Sequence, residues 1–152
     1  DRVRETLFNW LGQDLNGRRC LDLFAGSGAL GMEAASRGAA EVVMVEMNRA
    51  VFRVLQENKQ KLNFHNIALR NEDGLKFASR SNEQFDVIFL DPPFQSDYLE
   101  KILPLLPSRL TPQGLLCVES AAPVEAGGHW QIYRNGKAGA VHYQLLQLVQ
   151  HD

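Results

Sequence analysis

Residues 21–31 read Leu-Asp-Leu-Phe-Ala-Gly-Ser-Gly-Ala-Leu-Gly, an apolar strand running straight into a glycine-rich turn that opens a helix. No other stretch restricts the fold as strongly. Gly26, Gly28 and Gly31 have the spacing G-x-G-x-x-G, in which glycine permits a tight turn and lets the backbone approach a ligand closely. The rest of the chain continues in the same style. Strand-like runs at 20–24, 41–45, 67–70, 85–90 and 115–119 alternate with helical patterns at 30–36, 49–62, 74–78 and 98–106. This alternation predicts a parallel sheet covered on both faces, a doubly wound α/β domain. Ahead of it, Val3, Leu7, Phe8 and Leu11 share one face of an amphipathic helix that Gly17 is expected to end. Asn48 and Ser96 are expected helix N-caps, and Pro104 should kink or shorten the last helix. Runs at 130–134 and 141–149, joined by a turn region at 136–139 with no helix between them, predict an antiparallel hairpin at the sheet edge.

A chain of 152 residues suits one domain spanning 1–152, and no apolar run approaches the length of a membrane span. Cys20 and Cys117 lie inside apolar runs and read as buried thiols of a reducing compartment rather than a disulfide. His65, His129, His142 and His151 have no metal-ligand spacing, so no metal is expected. A net charge of −2 and a pI near 6.1 do not advertise a nucleic-acid binder. The sequence enters a helical pattern directly at Asp1 without an initiator Met, which predicts a preceding segment that carries positive charge.

The glycine turn acquires meaning from the next strand. That strand, Val42-Val43-Met44-Val45, ends at Glu46, twenty positions after Gly26, where a carboxylate can accept from both hydroxyls of a ribose. Nicotinamide cofactors and S-adenosylmethionine (SAM) both suit this arrangement. Two features favour SAM. Asp22 lies just before the turn, where an acid can help receive a cationic methionyl group but has little use beside a pyrophosphate. The other is Asp91-Pro92-Pro93-Phe94, which has no obvious role in hydride transfer.

That tetrapeptide closes the run Phe85-Asp86-Val87-Ile88-Phe89-Leu90. Proline fixes φ and biases the preceding residue toward extended geometry, so Asp91 and Pro92 are held stiffly. Pro92 keeps a carbonyl without an N–H, leaving two acceptors side by side that suit a planar –NH2 group. Phe94 can stack on the ring carrying that group. The motif resembles the D/N-P-P-Y/F/W signature of amino-methyltransferases.

Four segments extend the likeness over nearly the whole chain: 1–11 (DRVRETLFNWL), 21–31 (LDLFAGSGALG), 45–50 (VEMNRA) and 91–94 (DPPF). Together they resemble the RsmD family of class I SAM-dependent methyltransferases. The resemblance implies a Rossmann-like, mostly parallel sheet, SAM as donor, and the N2 amino group of a guanine in small-subunit ribosomal RNA as acceptor. It also implies a cytoplasmic protein, a monomer, acting on the small ribosomal subunit or an assembly intermediate, and a basic N-terminal segment ahead of Asp1. Carried onto this chain, the catalytic residues are Asp91, Pro92 and Phe94, and the cofactor residues are Asp22, Gly26, Gly28, Glu46 and Asp73. Asp73 falls where many SAM enzymes hold the adenine amino group, and it equally suits a helix N-cap. Arg2 and Arg4 suit phosphate contact or a solvated helix start, and Glu119 is a candidate because it ends a strand on the ligand-binding edge. Two rival classes remain open: a DNA amino-methyltransferase, for whose separate recognition region the chain has little room, and a non-catalytic SAM-binding subunit, which need not keep both Glu46 and the Asp91 motif.

Overall fold

The computed structural model describes residues 2–93 and 97–150. Seven strands form one sheet: β1 (Arg19–Asp22), β2 (Glu41–Val45), β3 (Ile67–Arg70), β4 (Phe85–Leu90), β5 (Leu110–Ser120), β6 (Trp130–Ala138) and β7 (Val141–Leu148). The helices are α1 (Arg2–Leu11), α2 (Ala29–Ser36), α3 (Arg49–Lys61), α4 (Gly74–Arg80) and α5 (Tyr98–Ile102). The strand order is β3-β2-β1-β4-β5-β7-β6. β1 to β5 pair in parallel, and β7 runs antiparallel between β5 and β6. The α/β class, the parallel core and the antiparallel C-terminal hairpin all agree with the sequence reading.

The central strands are apolar at consecutive positions because both sheet faces are covered. On one face Val42, Met44, Val87 and Phe89 pack with Leu7, Phe8 and Leu55 from α1 and α3. On the other, Val43, Ile88 and Leu116 pack with Phe77, Ile102 and Leu106. Connections leave β1 toward β2 and β4 toward β5 in opposite directions along the sheet. A crevice therefore opens where the carboxyl ends of β1 and β4 lie side by side, the usual ligand position in such sheets.

Several boundaries differ from the pattern-based expectation. α1 stops at Leu11, where the Gly12 N–H donates to the Phe8 carbonyl at 3.0 Å, well before Gly17. α5 stops at Ile102 and tightens into a 3₁₀ segment, Leu103–Arg109, since Pro104 and Pro107 cannot donate to the helical ladder. Ser96 lies outside the described residues. The N-cap position of α5 is Asp97, which makes no capping bond and pairs with Lys101 at 2.9 Å. Asn48 does cap α3, accepting from the Val51 N–H at 3.1 Å. β6 continues through Gly136 to Ala138, so the hairpin turn is only Gly139 and Ala140. Gly136 pairs with Tyr143 in the β6–β7 ladder, and glycine is required there because a β-carbon would lie 2.5 Å from the Tyr143 ring. Tyr143 in turn stacks on Trp10 with centroids 5.4 Å apart, tying α1 to the hairpin.

Candidate active site

The turn after β1 sets the floor of the crevice. Asp22 is 2 % exposed, and its Oδ2 accepts from the Gly31 N–H at 3.2 Å, which fixes the first turn of α2 over the end of β1. Gly26 and Gly28 take φ of 56° and 93°, values that a β-carbon disfavours. They differ in what they face. Space beside the Gly26 α-carbon is open, whereas a β-carbon at Gly28 would lie 2.6 Å from Leu55 Cδ1. Gly28 therefore serves the turn and its packing, and Gly26 presents backbone to the crevice.

Glu46 reaches back from β2 to the same turn. Its Oε1 accepts from the Gly26 N–H at 2.9 Å and its Oε2 from the Asn48 N–H at 2.8 Å. Both oxygens are thus aimed by backbone donors, and each keeps a further lone pair for a ligand hydroxyl. Asp73 caps α4, with Oδ1 accepting from the Leu75 N–H at 2.9 Å, and it also lines the crevice. Asp73 is thus both the α4 cap and part of the crevice wall.

Across the crevice stand Asp91 and Pro92, at the end of β4. Pro92 is buried and Asp91 half-buried, and among the described residues no hydrogen bond or ion pair engages the Asp91 carboxylate. Burial pushes its pKa above the ordinary carboxylate value. Phe94 lies outside the described residues. Glu119, one residue beyond the Leu90–Val118 register pair, is likewise without a hydrogen-bond or ion-pair partner among the described residues. Burial, and then the neighbouring Asp91 charge, push Glu119 up to about 7. Asp22 is also pushed up to about 7, by burial first, against the lowering effect of the Gly31 N–H and with further raising from Asp91 and Glu46.

Apart from Asp22, these groups share one cleft of about 590 Å³, lined by Glu46, Asp73, Asp91, Pro92, Pro93 and Glu119 together with Leu23, Phe24, Met47, Gly74, Tyr98 and Val141. A smaller recess of about 230 Å³ joins Asp22, Gly26, Ser27 and Arg4 to Asp91 and Glu119. Clustered carboxylates of this kind suit a cationic ligand and would repel a pyrophosphate. Phe24, Met47, Tyr98 and Val141 are wall residues beyond those expected from the sequence. Phe24 and Tyr98 form a tilted ring pair with centroids 5.6 Å apart, and Met47 is 57 % exposed, unusual for a large apolar side chain. Met47, next to Glu46, could have been anticipated from its position; Val141 comes from the distant hairpin and carries no local signal.

A family model described as Conserved hypothetical protein 95 matches residues 1–147. Ribosomal RNA small subunit methyltransferase D of Escherichia coli (strain K12) is 42% identical over 154 residues, covering 97% of this chain and 77% of the relative. The protein of the same name from Haemophilus influenzae is 39% identical, covering 97% of this chain and 80% of the relative. The chain belongs to the RsmD family. The fold agrees: the solved structure of Escherichia coli yhhF matches with a TM-score of 0.91 at 39% identity, covering 99% of this chain and 88% of that one. As an RsmD family member the chain is a class I methyltransferase, and family and fold imply use of SAM. Among the described residues no helix is long and apolar enough to cross a membrane.

Proposed function

We propose that this protein transfers a methyl group from SAM to the N2 amino group of a guanine in small-subunit ribosomal RNA, within a small ribosomal subunit or its assembly intermediate. The observation that carries the reading is the unengaged Asp91 carboxylate, held beside Pro92 in the same cleft as Glu46 and Asp73. The names of the relatives support ribosomal RNA of the small subunit as the substrate.

The residues present suit SAM. Glu46 would take the ribose hydroxyls, Asp73 the adenine amino group, and the Gly26 backbone with Asp22 the methionyl end, where two positive charges offset the clustered carboxylates. When bound, SAM supplies an electrophilic methyl group. The chain's own task is to make a poor nucleophile reactive. A guanine amine delocalises its lone pair into the ring, and accepting its two N–H groups at Asp91 and the Pro92 carbonyl favours tetrahedral nitrogen with the lone pair turned outward. Positioning and stabilisation of the positive charge developing on nitrogen account for most of the gain. Asp91, its pKa raised by burial, can then take up the proton that the nitrogen loses. Phe94 would stack on the base once it has left its helix or from an unpaired site.

The decisive experiment supplies labelled SAM and unmodified small ribosomal subunits, then digests the RNA to nucleosides. Labelled N2-methylguanosine is expected. A label on adenine or cytosine, or transfer only to DNA, would overturn the assignment.

A further inference from the structure

Glu119 stands where three cavities meet, one of them the recess of about 230 Å³ that it shares with Asp22, Gly26 and Arg4. It lines the main cleft with Asp91, and it also lines a side recess of about 190 Å³ bounded by Pro92, Pro93, Ser120, Ala121 and Ala122. β4 and β5 run parallel with Leu90 opposite Val118, so Asp91 and Glu119 leave the sheet edge as neighbours. Among the described residues nothing in the protein bonds to the Glu119 carboxylate, an expensive way to hold a half-buried acid unless a ligand completes it. Ser120, next in the chain, is already committed: its hydroxyl donates to the Ala122 carbonyl at 2.6 Å. The other carboxylate of the recess, Glu100, is exposed on α5.

We propose that Glu119 reads the Watson–Crick edge of the target base by accepting the guanine N1–H, and is a specificity-determining residue of this site. The inference rests on the guanine-N2 reading above. Guanine presents N1–H and N2–H as adjacent donors on one edge. If Asp91 and the Pro92 carbonyl take the amino group, N1–H is left as a donor on the ring nitrogen two bonds away. Enclosing that donor without an acceptor would be costly, and Glu119 is the acceptor beside Asp91. A purine with a bare N1 would instead set a lone pair against the carboxylate. A site that hydrogen-bonds a substrate N–H rejects analogues lacking it far more strongly than a site that only fits their shape.

The test uses small subunits reconstituted with RNA carrying either guanine or 2-aminopurine at the methylated position. 2-Aminopurine keeps the 2-amino group but has no proton on N1. The wild-type chain, Glu119→Gln and Glu119→Ala are compared in kcat/KM on both bases, with SAM affinity measured by calorimetry. Wild type should favour guanine by at least roughly tenfold, as expected for a site built around a substrate N–H. Both variants should narrow that preference about tenfold or more while binding SAM within about twofold of wild type; Glu119→Gln can turn an amide N–H toward the bare N1. Equal wild-type rates on the two bases would overturn the inference whatever the variants do. So would an unchanged preference in the variants, and a loss of SAM affinity with preference intact would reassign Glu119 to the methionyl ammonium. No N2-methylguanosine from wild type on the guanine substrate would overturn the underlying reading, and this one with it.

Discussion

The two sides of the cleft treat their carboxylates in opposite ways. On the side of the glycine turn, Asp22, Glu46 and Asp73 each accept from a backbone N–H, so the main chain aims them before any ligand arrives. On the side of β4 and β5, Asp91 and Glu119 have no hydrogen-bond or ion-pair partner among the described residues. The contrast matches two kinds of work. Binding a fixed ligand gains from preorganised acceptors, whose orientation cost is met during folding. Chemistry on an amine needs acceptors whose lone pairs are unspent, strengthened by a partly desolvated setting.

The largest effect should follow from Asp91→Ala. Single-turnover methyl transfer is expected to fall by about 100-fold or more, with SAM affinity little changed. Near-normal transfer would sink the mechanism, and a parallel fall in SAM affinity would blur the distinction between the two sides. Glu46→Ala should do the reverse, weakening SAM by about 1–3 kcal/mol through lost charge-assisted hydrogen bonds. An unchanged calorimetric affinity in the folded variant would remove Glu46 from the ribose.

Acidity bears on both sides at once. Asp22 and Glu119 are pushed up to about 7, chiefly by burial, and Asp91 is raised as well. Below about pH 7 Asp22 takes up a proton, so attraction for the cationic end of SAM fades and SAM should bind more weakly at about pH 6 than at about pH 8. The empty protein should behave oppositely. Between the ordinary values of 3.8 and 4.5 and about 7, the folded state binds more protons than the unfolded chain. Its stability should therefore decline as pH rises through that window and level off above it. Calorimetry and thermal melts across this range check both signs, and a SAM affinity that rises on acidification would contradict the charge argument. The smallest effect belongs to Asp73→Ala, expected to cost about 1 kcal/mol of stability through loss of the α4 cap. Asp73→Asn keeps a capping oxygen, so any loss of SAM affinity in that variant isolates the ligand-facing role.

The parallel core was legible because β2, β3 and β4 are short apolar runs with clear ends, and because Gly26 and Glu46 keep a spacing that only a strand–turn–helix–strand unit explains. β5 is longer than its apolar run suggests. Its start at Leu110 is followed by Thr111-Pro112-Gln113-Gly114, which hides the strand behind turn-forming residues, and the ladder with β4 shifts register there. Gly136 departs from its local signal for a related reason: in sequence it signals a turn, and the ring of Tyr143 above it explains a glycine inside a strand. Asp91 and Glu46 could be named from sequence, but that one is unengaged and the other braced depends on partners brought in by folding. The position of Gly28 against Leu55 likewise required α3 to be in place.

The stack of Trp10 on Tyr143 gives the molecule an optical gauge of its own. Tyr143 lies two residues along β7 from Val141, which forms part of the cleft wall, so the indole on α1 reports on a strand that touches the ligand space. The chain has two tryptophans, and Trp130 is 8 % exposed at the opposite end of the hairpin from the Gly139–Ala140 turn. In a Trp130→Phe protein the remaining emission would come from Trp10 alone. A spectral change on adding SAM, abolished in Tyr143→Leu, would turn that ring contact into a direct readout of cleft occupancy.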